Sequence, residues 1–576
     1  MSATATAAPR PRKLVRRDWL IGLLLALLGT TLTGLAGRGE GYTRDEGYYF
    51  DAAEQYWQWY GELFEHPGAA LTRPSIDRWF SNNHEHPVLM KTLFAWSWRI
   101  FHKCNCAHQA GRHSVGYAKN HRTLGLLGEA AAMRLPTNLM AGLMVMVVYL
   151  FGVAAWSRRA GLVAGALSLA APRMLFHAAL ACFDAPMAAT WLFCVWCYWR
   201  SLDDKSWRWR TGLAFGLALA TKLNGFFLPF VLGLHYVCNA AMQPRGERWR
   251  WFMSRRLTVF GWMALLGPIV QIGHWPWMWF DTVARFREYL AFHLHHVYYN
   301  MEFLGLNYNK PPFPMSYAWV MTLLTMPVTT LALAIGGGLA LAWPALRRRE
   351  FAPTSPGLLV GMNALFPICI ISFTGAPIFG GVKHWLPSVP FLALLAGAAI
   401  DRLCTATITT LQRSRPNLDG KWPALVLCSM AVLPALAATW ESQPYALTSY
   451  NLLAGGPPGG ADLGMNRQYW GYSTRGVLPY IDEHARPHAQ VYWHDTNQAQ
   501  LNMDVRERLA RDDLGNTGLE EPGVRASDIA MVIHEKHFAK YEYWIWDFYG
   551  TTRPSFVLAD EGVPIVTLYE RPEAKR

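Results

Sequence analysis

Apolar and polar positions along this chain fall into long blocks. Apolar runs cover 19–36, 135–156, 162–180, 186–199, 257–275, 317–343, 357–373, 385–400 and 422–440, with shorter or interrupted runs at 88–101 and 211–237. A helix needs about 20 mostly apolar residues to cross a hydrocarbon core, so the blocks predict roughly eleven to thirteen crossings. Two segments between the blocks read as amphipathic helices. From 51 to 64, Ala53, Tyr56, Trp57, Tyr60, Leu63 and Phe64 fall at helical spacing opposite Glu54, Gln55, Gln58 and Glu62. That aromatic face suits either a membrane interface or packing against the helix bundle. From 281 to 299, Val283, Phe286, Leu290, Leu294 and Val297 share a face behind the aromatic run Trp275-Pro276-Trp277-Met278-Trp279. This predicts an interfacial helix outside the membrane.

After residue 440 the blocks stop. A Gly/Pro cluster at 455–460 leads into strand-like runs at 490–493, 529–533 and 555–569, with an aromatic-rich helical stretch at 535–549. The pattern predicts an all-α polytopic membrane domain over 1–441, with an outer loop at 37–87, then a small soluble α/β domain over 442–576.

Composition agrees: 52% of residues are hydrophobic and 16% charged, against roughly 25% charged in an ordinary soluble domain. Arg10, Arg12, Lys13, Arg16 and Arg17 precede the first run, and no Ala-x-Ala cleavage pattern follows it. The run therefore reads as a retained anchor with a cytoplasmic N-terminus. Basic connectors at 200–210, 245–256, 347–349 and 402–421 belong on the same side by the positive-inside rule. The first loop then faces outward, and an odd number of crossings puts the tail there too. The expected location is the cytoplasmic (inner) membrane, multi-pass, with the active site and C-terminal domain extracytoplasmic. The net charge of +13 is spread over these connectors, which suits contact with anionic lipid and argues against nucleic acid. Of the nine cysteines, most lie in apolar runs, and Cys104-Asn105-Cys106 is too tight for a relaxed disulfide. No phosphate-cradling glycine loop is present, which leaves nucleotide-driven pumping without support.

Chemistry concentrates at a few positions. Asp45-Glu46, in Gly41-Tyr42-Thr43-Arg44-Asp45-Glu46-Gly47-Tyr48-Tyr49, follows the first run, where paired carboxylates can move protons; taken alone they also read as a solvated rim. Asn82-Asn83-His84-Glu85-His86-Pro87 precedes the run with Lys91 and offers metal-ligating types, although such a cluster also suits a wet loop. Asp184 and Lys222 lie inside apolar runs, where a charge costs several kcal/mol unless paired or beside a polar cavity; the alternative is a helix-end side chain reaching water. Arg134 and Lys383-His384 add cations at run edges. Carboxylates with cations near a bilayer fit transfer of a group from a lipid-linked phosphate. The leaving phosphate needs positive charge, and the acceptor must lose a proton.

The ordered set resembles a family: the C-type membrane glycosyltransferases of the protein O-mannosyltransferase and lipid A aminoarabinose transferase type, glycosyltransferase family 39 and its bacterial relatives. The matching pieces are Arg44-Asp45-Glu46-Gly47-Tyr48-Tyr49, Glu85-His86-Pro87-Val88-Leu89-Met90-Lys91, Met133-Arg134-Leu135-Pro136, Phe183-Asp184-Ala185-Pro186, Thr221-Lys222-Leu223-Asn224-Gly225 and Lys383-His384-Trp385-Leu386-Pro387. Tyr450-Asn451-Leu452-Leu453-Ala454-Gly455-Gly456 and Tyr469-Trp470-Gly471 are similar to the tail of the bacterial relatives. Val88 stands where a second proline is common, and Lys383-His384 where many relatives have Arg-Tyr.

The resemblance implies the C-type fold and a hexosyl- or pentosyltransferase, mannosyltransferase-like. It would move a sugar, with inversion, from a polyprenyl-phosphate donor to a protein or lipid acceptor. Asp45 is then the general base and Glu46 orients it or the acceptor. Glu85 and His86 line the cavity, with a divalent metal as a candidate cofactor there. Asp184 supports the cavity, and Lys91, Lys222, Arg134, Lys383 and His384 bind substrate or carrier. A lipid-linked sugar flippase or other membrane transporter is the alternative from a different class, although no internal repeat is present.

Overall fold

The computed structural model describes residues 12–103, 123–348, 355–378 and 380–572; Arg10, the Cys104 and Cys106 pair and Arg349 lie outside them. Among the described residues, six helices are long and apolar enough to cross a membrane, or up to eight if two bent pairs each count as one span. Other apolar runs fold into shorter helices, such as Leu89–Phe101, Trp207–Thr221 and Pro356–Ile371. The sequence estimate of eleven to thirteen counted these short elements along with the long ones. The protein is an integral membrane protein.

The first helix, Arg16–Gly39, turns Leu20, Leu23, Leu24, Leu27 and Leu28 outward, each more than half exposed, as lipid-facing side chains would be. Its small residues face the helix Glu129–Ala155: a Cβ added at Gly142 would stand 2.3 Å from the Ala26 carbonyl oxygen. Such close backbone approach is what small residues allow between membrane helices. With 24 residues, the helix is about 36 Å long at 1.5 Å per residue, enough for a core of about 30 Å. Its N-terminal end is fastened by Asp18 to Arg158 at 2.6 Å. Arg159 holds Asp401 at 2.8 Å. Its other end delivers Glu40 to the segment that carries Asp45.

Two spans are broken. Arg158–Leu169 and Pro172–Ala179 meet at 71°, and Tyr317–Thr325 and Val328–Trp343 at 118°. A proline stands at or just before the second helix of each pair, Pro172 and Pro327, where its missing N–H and fixed φ stop continuation of the helix before it. The first break turns Arg173 and His177 into the protein.

Both amphipathic helices form, as Arg44–Glu65 and Thr282–Leu294. In the first, Tyr56 and Trp59 are buried against Phe80 and Trp275 within the protein, so packing accounts for much of its aromatic face. The second buries Arg285 and Tyr289, while Val283 and Leu294 of the expected apolar face stay exposed. A hairpin not foreseen in the sequence follows: β1 (Met301–Phe303) pairs antiparallel with β2 (Leu306–Tyr308) across Leu304 and Gly305, both at positive φ, as tight hairpin turns require.

The tail contains β3 (Gln490–Trp493), β4 (Gly515–Asn516), β5 (Ile529–Ile533), β6 (Phe556–Asp560) and β7 (Val563–Glu570) in the order β4-β3-β5-β7-β6. β3 runs parallel to β4 and β5, and β7 antiparallel to β5 and β6. Alternate side chains feed two cores: Val491, Trp493, Ile529 and Met531 one face, Tyr492, Ala530 and Val532 the other. That period-two split explains why β5 reads as unbroken apolar sequence. Residues just after the last apolar helix join the helical body instead: Tyr450, Ala454 and Met465 in its largest core, Tyr469, Trp470 and Tyr472 around Tyr42 and Tyr49.

Candidate active site

Asp45 and Glu46 occupy the first turn of the helix Arg44–Glu65, and the sequence explains the start. Thr43 caps it, accepting a hydrogen bond from the Glu46 N–H at 3.2 Å while its own N–H donates to Glu46 Oε2 at 3.0 Å. This reciprocal pair is a capping box. Glu46 is fully buried and saturated: Arg134 Nε donates to Oε1 and Nη2 to Oε2, both at 2.8 Å, and the Ala181 N–H donates to Oε1 at 2.8 Å. Arg134 spends its remaining donors on the carbonyls of Gly37 and Gly41 at 2.7 and 2.8 Å. Neither residue lines the cavity that holds Asp45. Arg134 is therefore committed to Glu46 and not open to a phosphate.

Asp45 faces a cavity of about 760 Å³. Its Oδ2 lies 3.4 Å from Lys383 Nζ, whose ammonium sits 4.1 Å above the Trp470 ring. Lys383 rides on a tight turn, Gly381–His384, entered through Gly380 and Gly381 at positive φ. A Cβ at Gly381 would stand 2.0 Å from the Tyr469 hydroxyl oxygen, so only glycine fits. Trp470 itself has φ of 78°, a strained value for a bulky residue, and its carbonyl accepts from the Arg44 N–H at 2.9 Å.

A second pair lines the same cavity. Lys222 Nζ donates to Asp184 Oδ1 at 2.5 Å. Lys222 ends the helix Trp207–Thr221 in extended conformation, which swings its side chain out of the helix. Asn224 Nδ2 donates to the His384 carbonyl at 3.2 Å, joining the Lys222 and Lys383 segments. Leu223, Phe226, Phe227, Leu290, Ile370 and Ile371 supply an apolar wall to the same cavity. Glu85, His86 and His384 also line it. Glu85 accepts from Asn83 Nδ2 at 2.9 Å. Lys91 does not line the cavity: buried, it donates to the Asn83 and His86 carbonyls at 2.5 and 3.1 Å and so pins the 82–87 turn.

The sequence reading missed three residues. His293, on Thr282–Leu294, bonds the Glu85 carbonyl at 3.1 Å and lies 5.7 Å ring to ring from His86. Burial pushes His293 down to about 4 and His86 well below its usual value, so both rings are neutral at physiological pH. Glu85 and His86 form no close three-donor group with another His, Cys, Asp or Glu among the described residues. His177 puts Nδ1 3.7 Å from Asp184 Oδ2. Arg173 donates to the Tyr469 hydroxyl at 3.0 Å and so supports the Lys383 turn. Arg173 and His177 were hidden inside 162–180, which reads as one apolar run; their charge at membrane depth was the available signal.

The C-terminal domain grips this segment. Arg44 Nη1 bonds Asp495 Oδ1 at 2.8 Å, Asn497 Nδ2 donates to the Arg44 carbonyl at 2.7 Å, and Gln500 Nε2 to the Tyr42 carbonyl at 2.6 Å. Asp45 is thus set between membrane helices and the C-terminal sheet region.

Fold and site define a polytopic membrane protein with a cavity that pairs an apolar wall with two carboxylate–ammonium pairs. Residues 126–272 match the family model described as dolichyl-phosphate-mannose-protein mannosyltransferase, which meets the C-type glycosyltransferase resemblance over that segment. Among solved structures, the chain is similar to ArnT from Cupriavidus metallidurans bound to undecaprenyl phosphate, at 16% identity and TM-score 0.48, covering 96% of this chain and 98% of that one. It is also similar to the oligosaccharyltransferase AglB from Archaeoglobus fulgidus in complex with an inhibitory peptide and a dolichol-phosphate, at 12% identity and TM-score 0.48, covering 93% and 71%. No curated protein matched.

Proposed function

We propose that this protein is a membrane glycosyltransferase that moves a sugar from a polyprenyl-phosphate donor to a protein or lipid acceptor, with inversion. The observation that carries the reading is the pairing of Asp45–Lys383 and Asp184–Lys222 in one cavity with an apolar wall. The family match over 126–272 supports it. A cavity of about 760 Å³ falls in the range of roughly 300–1,000 Å³ typical of ligand pockets. It suits a sugar phosphate with the first carbons of its carrier on the apolar wall.

In this mechanism the Asp45 carboxylate takes the acceptor's proton as the acceptor atom bonds to the anomeric carbon. The bond from that carbon to the phosphate oxygen breaks from the opposite face, and polyprenyl phosphate leaves with the electron pair. Lys222 and Lys383 stabilise the added charge, Asp184 orients Lys222, and His384 lines the phosphate side. Glu85 and His86 border the acceptor side, where a divalent metal is a candidate. The sugar is a hexose or pentose, with mannose the family precedent. The basic helix ends face the cytoplasm and the cavity opens on the extracytoplasmic side of the inner membrane. Residues 1–441 form the transferase domain and 442–576 the extracytoplasmic domain that braces Asp45.

The test is transfer of labelled sugar from polyprenyl-phosphate sugar by the purified chain, with Asp45→Asn alongside. Transfer that disappears in Asp45→Asn supports the reading. Equal transfer by both proteins removes Asp45 as base, and movement of intact carrier across vesicles without transfer makes the protein a flippase.

A further inference from the structure

Away from the cavity, three side chains with metal-binding atoms converge where the β1–β2 hairpin meets the C-terminal sheet. Glu302 stands in β1, while Glu535 and His537 lie between β5 and the helix Ala539–Tyr549. One donor atom from each lies within 4.8 Å of the others. His537 Nδ1 is 3.5 Å from Glu535 Oε2 and 3.9 Å from Glu302 Oε1. Such spacing is too long for good hydrogen bonds, and Nδ1 is buried without a hydrogen-bond partner. It is close to what one shared ion needs: bonds of about 2.0–2.2 Å at tetrahedral angles set donor atoms roughly 3.3–3.6 Å apart.

Charge points the same way. The Glu302 and Glu535 side chains are 3% and 7% exposed, so two carboxylates have left water side by side, an arrangement that is costly without a counter-charge. Glu535 also feels Asp495, and the nearby Arg44 is already bonded to Asp495 at 2.8 Å. The Lys536 N–H donates to Glu302 and fixes that carboxylate, but the Lys536 ammonium reaches the Gly305 carbonyl at 3.3 Å.

We propose that Glu302, Glu535 and His537 form a divalent-cation site that fastens the β1–β2 hairpin to the C-terminal domain. One imidazole and two carboxylates suit Zn²⁺ best among common ions, with water in the remaining position. The site shares no residue with Glu85 and His86 or with the cavity lining. Its mechanical consequence reaches the cavity: the hairpin follows the helix that carries His293, and Asp495, beside Glu535, holds Arg44.

The full chain in detergent is stripped with EDTA, desalted and titrated with ZnCl₂, with bound metal counted by elemental analysis and thermal unfolding followed in parallel. Wild type and His86→Ala should each hold at least one ion per chain and melt higher with zinc. Glu535→Gln, nearly isosteric, and His537→Ala should bind at least tenfold more weakly and lose the zinc-dependent shift, while melting in EDTA like stripped wild type. Loss of the ion in His86→Ala with retention in both other variants overturns the assignment, as does wild type that takes up no zinc at micromolar concentration. A variant that melts early even in EDTA is replaced by Glu302→Gln, judged by the same counts.

Discussion

Glu46 and Arg134 form a bidentate ion pair in full burial, with both N–H···O distances at 2.8 Å, while Asp45, one residue earlier, faces the cavity. Consecutive helical residues point about 100° apart, so the two acids cannot share a face. They have different jobs. Removing one partner of a buried pair leaves the other uncompensated and costs about 3–5 kcal/mol. Glu46→Ala or Arg134→Ala should therefore lower the unfolding temperature sharply. Asp45→Asn should keep wild-type stability and lose roughly 10²- to 10⁴-fold in transfer rate, the usual worth of a positioned general base. Thermal unfolding and sugar transfer on the same preparations separate the two; a stable, inactive Glu46→Ala would reverse the roles.

Lys222 and Lys383 should separate in a different way. Lys222 is the more accessible cation, 17% exposed against 5% for Lys383, and it pairs with Asp184 rather than with Asp45. Lys222→Met should weaken polyprenyl-phosphate binding by roughly 10- to 100-fold, since a hydrogen bond to a charged group is worth about 1.5–3 kcal/mol. Lys383→Met should weaken binding too and also lower kcat at saturating donor, because it removes the ammonium 3.4 Å from Asp45. Carrier binding measured by competition, with kcat at saturating donor for both variants, checks this. Equal kcat in the two variants would contradict it.

Much of this site was legible because charges in apolar sequence are rare and costly. Asp184 and Lys222 announced themselves that way, Lys383 stood out only as a cation at a run edge, and all three meet around one cavity. Part of the tail was legible for another reason: β3 and β5 are short apolar runs between turn residues and fall where the runs predict, whereas β4 at Gly515–Asn516 carries no apolar signal and 555–569 folds back on itself as β6 and β7. What stayed hidden depended on direction more than on identity. Nothing in Asp45-Glu46 says which acid turns inward, since that follows from Arg134, 88 positions away. Arg173 and His177 were masked by a bend that sequence reads as one span, and the grip of Asn497 on Arg44 joins residues 453 apart.

That grip can be tested apart from folding. Asn497 serves twice: Oδ1 caps the helix Gln498–Arg506 by accepting from the Gln500 N–H at 2.8 Å, and Nδ2 holds the Arg44 carbonyl. Asn497→Asp keeps the cap but sets a carboxylate against that carbonyl. The expected result is a several-fold fall in kcat with donor KM and unfolding temperature close to wild type, because the tether positions Asp45 without touching substrate. Asn497→Ala should lose about 1 kcal/mol of stability as well, the typical value of a cap. An Asn497→Asp protein with wild-type kcat would show that the C-terminal domain does not position the base.

Asp504 gives the protein a pH dependence of stability. It lies in Gln498–Arg506, 5% exposed, with Oδ1 lacking a hydrogen-bond partner. Burial pushes its carboxyl up to about 8, against the pull of Arg475 and Arg134 and helped by Glu46 and Glu507. In the unfolded chain the group ionises near the usual value of about 3.9. Between about pH 4 and pH 8 the folded state therefore holds a proton that the unfolded state has lost, and this group's contribution falls as pH rises, levelling above 8. Asp504→Asn cannot ionise and escapes the loss. Its unfolding temperature should gain on wild type steadily from pH 5 to pH 8 and no further by pH 9, as read by thermal unfolding in detergent across that range. A gap that stays flat from pH 5 to pH 8 would mean that Asp504 is ionised in the folded protein throughout that range and that Arg475 and Arg134 outweigh its burial.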